Sequence, residues 1–210
     1  MAANVSPRMA LMTAVAAMAA VVVASNILVQ HPVMGQLFGL NLADILTWGA
    51  FTYPFAFLVT DVVNRTFGPH RARQVALVGF AVAIVLSALL STPRIAFASG
   101  TAFLVAQFYD VAMFDRLRHM TWWRAPLLSS LSASVVDTAL FFTIAFSAMI
   151  PFATDDFATA TDHLFGIEGL PETARWVSWA IADCTVKLLV AGFALGPYRF
   201  LVSRVATGRA

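Results

Sequence analysis

An all-α membrane protein with six transmembrane helices and both termini cytoplasmic is the fold class that three observations predict. Of the 210 residues, 60% are hydrophobic and only 11% charged, against roughly 25% charged in soluble domains. The apolar residues gather into runs near the ~20 residues an α-helix needs to cross a bilayer core, and the mean hydropathy is +0.81. The basic residues fall in short loops beside these runs. At a net charge of +2 that pattern is a topology signal rather than a nucleic-acid footprint.

Taken in order, the first span covers about 9–29 and reads as a retained helix. A cleaved signal peptide has an apolar region of only about 7–15 residues. His31 and Pro32 stop it. The second span is expected over 44–61, with Asp44 as its cap, and the third over 74–90, closed by Pro93. The fourth, 95–114, carries Gln107 and Asp110. The fifth, 127–150, carries Asp137 and is closed by Pro151. The sixth, 176–200, carries Asp183 and Lys187. Membrane strands fit poorly, since barrel segments are about ten residues long and alternate in polarity. The whole chain, 1–210, therefore reads as a single transmembrane domain.

Loop charges orient the spans. Arg8, the Arg65/Arg71/Arg73 loop, the Arg116/Arg118/Arg124 loop and the Arg199/Arg204/Arg209 tail fall on one side. The other side has only Arg94 and Arg175. By the positive-inside rule the basic side is cytoplasmic. The acidic connection over 152–175 is then outside. Three spans per half would give oppositely oriented halves, as in inverted-repeat transporters, but no residue-level repeat joins them.

Polar residues inside the spans carry the functional signal. A charge near the bilayer centre costs roughly 2.5–3.5 kcal/mol on insertion scales, so each needs a partner or a ligand. Asp137 sits near mid-depth and reads as facing a ligand or water-filled cavity. Asp183 and Lys187 are i,i+4 and can pair. Gln107 and Asp110, i,i+3, face one side. Asp61 lies nearer the basic side, where it either binds or pairs with Arg65. Asn26 suits an interhelical hydrogen bond or a ligand. The second span is rich in aromatics, among them Trp48, Tyr53 and Phe55, and these suit stacking on a flat heterocycle beside carboxylates.

What is missing narrows the class. There is no GxSxG elbow, HExxH pair or Walker loop. The four histidines lie in separate loops without metal-ligand spacing, and Cys184 is the lone cysteine, so neither a disulfide framework nor a thiolate metal site arises. Nothing calls for a cofactor, and an enzyme is the lesser expectation, confined to paired aspartates in the membrane.

Several long segments resemble a known family, the bacterial queuosine-precursor transporters or VUT family. They are SNILVQHPV at 25–33, TWGAFTYPFAFLVTDVVNRTFG at 47–68 with Ala72-Arg73 beyond it, and AQFYDVAMFDRLRHMTWWRAP at 106–126. The Val136-Asp137-Thr138 segment leading into FF-IAF and the Asp183–Lys187 spacing belong to the same set. The resemblance runs from the first span to the sixth. It implies a six-helix, multi-pass protein of the bacterial inner membrane that imports 7-cyano-7-deazaguanine or its aminomethyl relative, precursors of a modified transfer-RNA base. The family's polar residues then map onto Asp61, Gln107, Asp110, Asp137 and Asp183, with Lys187 beside them. The chain departs from the family pattern at Ser132–Ser134, where Asn or Gln is frequent, and at Cys184, where an aromatic is frequent.

The sequence thus leads to a transporter with a central cavity lined by its first, second, fourth, fifth and sixth spans. Asp137 and then Asp183 accept the N–H groups of a 7-deazaguanine-type small molecule, Gln107 and Asn26 read further edge atoms, and aromatics of the second span stack. Two alternatives stand beside it: a substrate-binding membrane subunit that depends on a separate ATPase, and an intramembrane enzyme. The partners expected are the lipid bilayer and the small molecule, with no nucleic acid. Association of copies into a homo-oligomer is left open.

Overall fold

A computed structural model describes residues 6–37, 39–147 and 156–207. Its long helices are α1 (Pro7–Leu28), α4 (Pro69–Leu90), α5 (Pro93–Leu117), α6 (Arg124–Phe146) and α8 (Arg175–Thr207). These five are long and apolar enough to cross a membrane. Their starts follow local chemistry. Ser6 caps α1 through Met9 N, Thr92 caps α5 through Ile95 N, and Pro7, Pro69 and Pro93 each open a helix, where a missing N–H costs nothing. Just before α4 the chain turns at Gly68 with φ 86°, a left-handed backbone that glycine adopts without strain.

The second expected span is corrected in both position and form. Residues 42–44 form a 3₁₀ turn, and the helical path begins later, as α2 (Gly49–Thr52) and α3 (Phe55–Phe67), with a break at Tyr53-Pro54. Asp44 therefore caps no membrane helix and instead accepts a hydrogen bond from Asn41 Nδ2 at 3.0 Å. Alone, the 13 residues of α3 reach about 20 Å at 1.5 Å per residue. Pro54 forces the break because it has no N–H to bond back along the helix. The end of the fifth expected span, 148–150, and Pro151 lie outside the described residues.

Two small antiparallel hairpins, absent from the sequence expectation, close one end. One pairs β1 (Gln36–Leu37) with β2 (Leu40–Asn41). The other pairs β3 (Thr161–His163) with β4 (Glu172–Ala174), following the short helix α7 (Asp156–Thr159). Arg175 fastens the second hairpin to the start of α8 through Asp162 at 3.1 Å and lies over the Phe157 ring. At the same end Arg94, opening α5, donates to the carbonyls of Ile144 (2.9 Å) and Ser147 (2.7 Å). These are carbonyls that the finish of α6 leaves without helical donors.

The opposite end carries the arginine loops. Arg65 donates to Arg118 O at 2.7 Å, and Arg118 returns a bond to Asn64 O at 3.3 Å, so α3 and α5 cap each other's last turns. Helices α1 and α4 run parallel: Asn26 meets Ser87 near their finishes, and Met18 meets Gly79 one stretch earlier. A Cβ on Gly79 would lie 2.8 Å from Met18 and 2.9 Å from Phe103. The glycine lets α1, α4 and α5 converge on a core of Met18, Val22, Val75, Ala83 and Phe103. By this path α1 begins and α8 ends at the arginine end.

Candidate functional site

At the hairpin end two cavities join. The outer one, about 1000 Å³, is walled by the 42–47 turn region, by Phe141, Phe142 and Phe146 of α6, by the 162–166 hairpin and by Ser178 and Trp179 of α8. The inner one, about 100 Å³, is lined by Ser25, Asn26 and Val29 of α1, Thr47, Gly49, Ala50 and Tyr53 of the broken segment, Ser99 and Ala102 of α5, Asp137 and Phe141 of α6, and Asp183 and Lys187 of α8. Val29, Thr47, Ala50, Phe141 and Asp183 belong to both. Asp183 thus stands where the outer space narrows into the inner pocket.

The floor of that pocket is an ionic cluster spanning three elements. Lys187 Nζ donates to Asp137 Oδ2 at 2.8 Å and pairs with Asp183, one turn earlier on the same helix. Tyr53 donates its hydroxyl proton to Asp137 Oδ1 at 3.0 Å, and Thr138 donates to Asp183 Oδ2 at 2.9 Å. The Lys187 ammonium lies 5.1 Å from the Tyr53 ring centroid, over its face. Tyr53 is held in turn by edge contacts with Phe57 and Phe103. The backbone stays right-handed helical through Tyr53 and Pro54, so Tyr53 keeps the register of α3 while reaching α6. Two carboxylates against one ammonium leave a formal charge of −1, so the cluster favours ligands rich in hydrogen-bond donors. Each carboxylate oxygen has two lone pairs, which leaves Asp137 capacity beyond Tyr53 and Lys187.

Asn26 joins the same wall. Its Nδ2 donates to Val22 O at 2.9 Å within α1, and its Oδ1 accepts from Ser87 at 3.0 Å. The pocket thereby reaches α4 at second hand.

Asp61, Gln107 and Asp110 gather elsewhere, in a buried polar layer toward the arginine end. Asp61 accepts from Ser130 (3.1 Å) and Ser129 (3.4 Å) of α6, with no ion pair to Arg65, which is turned to the α5 carbonyl. Thr60 lies 3.0 Å from Gln107 Oε1 and 3.4 Å from Asp110 Oδ2. An apolar stratum of Phe57, Ala106 and Ala133, with Tyr53 packed on it, separates this layer from the pocket. Of the aromatics singled out from sequence, only Tyr53 reaches the pocket. Trp48 is 47% exposed and packs against Phe51, and Phe55 is 39% exposed. Neither lines the two cavities.

Ser25, Thr47, Ser99 and Phe141 also line the pocket, beyond the residues expected from sequence. Lone small hydroxyls within apolar runs were the available signal, and it is weak because such groups usually bond back to their own helix. Thr138 was visible beside Asp137, and its tie to Asp183 was not.

Residues 47–92 and 86–201 match the family described as "Putative vitamin uptake transporter". A "Probable queuosine precursor transporter" of Haemophilus influenzae is 35% identical over 175 residues, covering 69% of this chain and 74% of the relative. The "Queuosine precursor transporter" of Escherichia coli is 37% identical over 147 residues, 60% of this chain and 64% of the relative. A "Probable queuosine precursor transporter" of Bacillus subtilis is 27% identical over 145 residues, covering 55% and 61%. No solved structure matches the chain. A family match running from the broken segment through α8, over apolar helices of membrane-spanning length, makes this multi-pass membrane protein a member of the vitamin uptake transporter family, a family of transporters rather than enzymes.

Proposed function

We propose that this chain imports a queuosine precursor, 7-cyano-7-deazaguanine or its aminomethyl relative, across the bacterial inner membrane. The observation that carries the reading is the net-negative Asp137–Lys187–Asp183 cluster at the floor of a pocket that opens through a larger vestibule. The names of the relatives supply the ligand class. A guanine-like edge presents two adjacent N–H donors beside a carbonyl. A carboxylate accepts the donors as a pair, and an ammonium or amide N–H meets the carbonyl. Asp137 and Asp183 take the first role, Lys187 and Asn26 the second, and the rings of Tyr53 and Phe141 flank the base. The basic loops face the cytoplasm, so six passes leave both termini inside and the hairpin end outside. One transmembrane unit performs the task.

The test is uptake of labelled 7-cyano-7-deazaguanine by cells lacking their own synthesis, with and without the protein, using 7-deazaguanine analogues as competitors. Asp137→Asn is expected to lower uptake about 100-fold. That is the loss of about two charge-assisted hydrogen bonds at roughly 1.4 kcal/mol per tenfold. Membrane insertion of the variant should be unchanged, because Lys187 keeps Asp183. Normal uptake by the variant removes Asp137 from the site. Uptake that appears only when a separate ATPase is supplied turns the assignment toward a substrate-binding subunit.

A further inference from the structure

The layer around Asp61 and Asp110 is not part of the pocket, and its hydrogen bonds do not balance. Asp61 is 2% exposed and Asp110 fully buried, and Thr60, the residue beside Asp61, reaches the Asp110 carboxylate at 3.4 Å. Among the described residues the ion pairs fall elsewhere, so no lysine or arginine compensates either acid. Donors are scarce. The single hydroxyl proton of Thr60 has four acceptors within reach, Ala56 O, Phe57 O, Gln107 Oε1 and Asp110 Oδ2. Ser129 is divided between Asp61 Oδ1 and Pro126 O. Asp110 Oδ1 has no donor at all, and Asn64 Oδ1, close by on α3, has none either. Three further buried groups at the layer lack partners, the Gln107 amide nitrogen, the Ser134 hydroxyl of α6 and the Tyr198 hydroxyl of α8. Buried polar atoms are rarely left this way, and adjacent carboxylates in a water-poor interior do not both stay ionised.

We propose that Asp61 and Asp110 form a second site that binds one exchangeable proton between them, and that this proton is the coupling ion of transport. The coupling half of the proposal rests on the import reading above. The step is simple and balanced: a proton from the water phase forms an O–H bond on one carboxylate oxygen, and the neighbouring carboxylate accepts the resulting hydrogen bond, with no electron transfer. Release toward the opposite phase restores the pair. That proton supplies the donor Asp110 Oδ1 lacks. The charged and titratable groups around the layer are Tyr198 from α8 and Arg65 and Arg118 at the arginine end, with Asp115 on Arg118. Helix α6 presents only the hydroxyls of Ser129, Ser130 and Ser134. The Phe57–Ala106–Ala133 stratum between this site and the pocket keeps proton and substrate apart while α3 carries both Tyr53's neighbour turn and Asp61.

The first measurement is infrared difference spectroscopy on the full-length protein in lipid bilayers through a pH step, which needs no substrate. The expected result is a protonated-carboxyl C=O band that shifts in heavy water. It should be lost in Asp61→Asn and in Asp110→Asn, and persist in Asp137→Asn. Absence of the band, or its survival in both variants, overturns the site. Loss of the band on adding sodium chloride at constant pH overturns the proton and assigns the pair to sodium. The second measurement is accumulation of labelled 7-cyano-7-deazaguanine in proteoliposomes under an imposed proton gradient. Loss of accumulation in Asp61→Asn and Asp110→Asn supports coupling, and retention overturns it. A wild-type protein that shows the band but takes up no substrate leaves the proton site standing and fails the import reading instead.

Discussion

Lys187 is the side chain on which the pocket floor depends. It faces Asp137, Asp183 and Thr138 at once, and it is almost completely buried. Removing one member of a buried ion pair costs about 3–5 kcal/mol, because the remaining charge is left uncompensated. Lys187→Met is therefore expected to lower the unfolding temperature of the detergent-purified protein. Adding Asp183→Asn should recover part of the loss by removing one of the two stranded carboxylates. A double variant no more stable than the single would show that the two acids are not strained against each other. The i,i+4 spacing makes the Asp183–Lys187 pair legible in sequence. The reach of Lys187 to Asp137, 50 positions away, is not, because spacing along one helix says nothing of which neighbour it will face.

At the scale of elements, the approach of α2 to the end of α1 sets the pocket's width. A Cβ on Gly49 would lie 2.9 Å from Val29 Cα, and backbone cannot yield there as a flexible side chain could. Gly49→Ala should force the two apart at a cost of about 1–3 kcal/mol, the usual range for overpacking. The expected readout is a lower unfolding temperature together with a raised KM for uptake, since Gly49 and Val29 both line the inner pocket. An unchanged KM would mean that the spacing of α1 and α2 does not govern the ligand. The break at Pro54 is readable from sequence as proline chemistry. The start of the helix is not: residues 44–47, expected at the head of the second span, are used in a 3₁₀ turn and a loop pairing instead. Hydropathy counts apolar side chains without asking where the backbone's hydrogen bonds go.

For the whole molecule, orientation yields a direct test. With Cys184 first replaced by serine, a cysteine at Gly169, in the exposed hairpin connection, should react with a membrane-impermeant maleimide on intact cells. A cysteine at His119 should react only after lysis. The reverse pattern would invert the topology. The five long helices are legible from composition, because burying apolar area in lipid demands long runs whatever the tertiary contacts. So is the depth order that sets Asp61 nearer the basic side than Asp137, but the partners within each layer are not. Asp61 and Asp110 are the same residue type as Asp137 and Asp183, and residue type does not name a partner. Only the register between helices assigns Ser129 and Ser130 to Asp61, and Tyr53 to Asp137.

That register bears on which length changes the chain can tolerate. Tyr53 at the pocket floor, Phe57 in the apolar stratum, Asp61 in the carboxyl layer and Arg65 at the arginine end follow one another at four-residue steps along a single helical path. An extra residue anywhere between them turns everything beyond it by about 100°. It would detach whichever layer lies downstream from its partners on α5 and α6. Insertions in the two hairpin connections, where no such ladder exists, leave all four levels in step. Length changes are thus expected to be tolerated in the loops alone, and the stretch from Tyr53 to Arg65 acts as a gauge whose spacing is fixed by its partners.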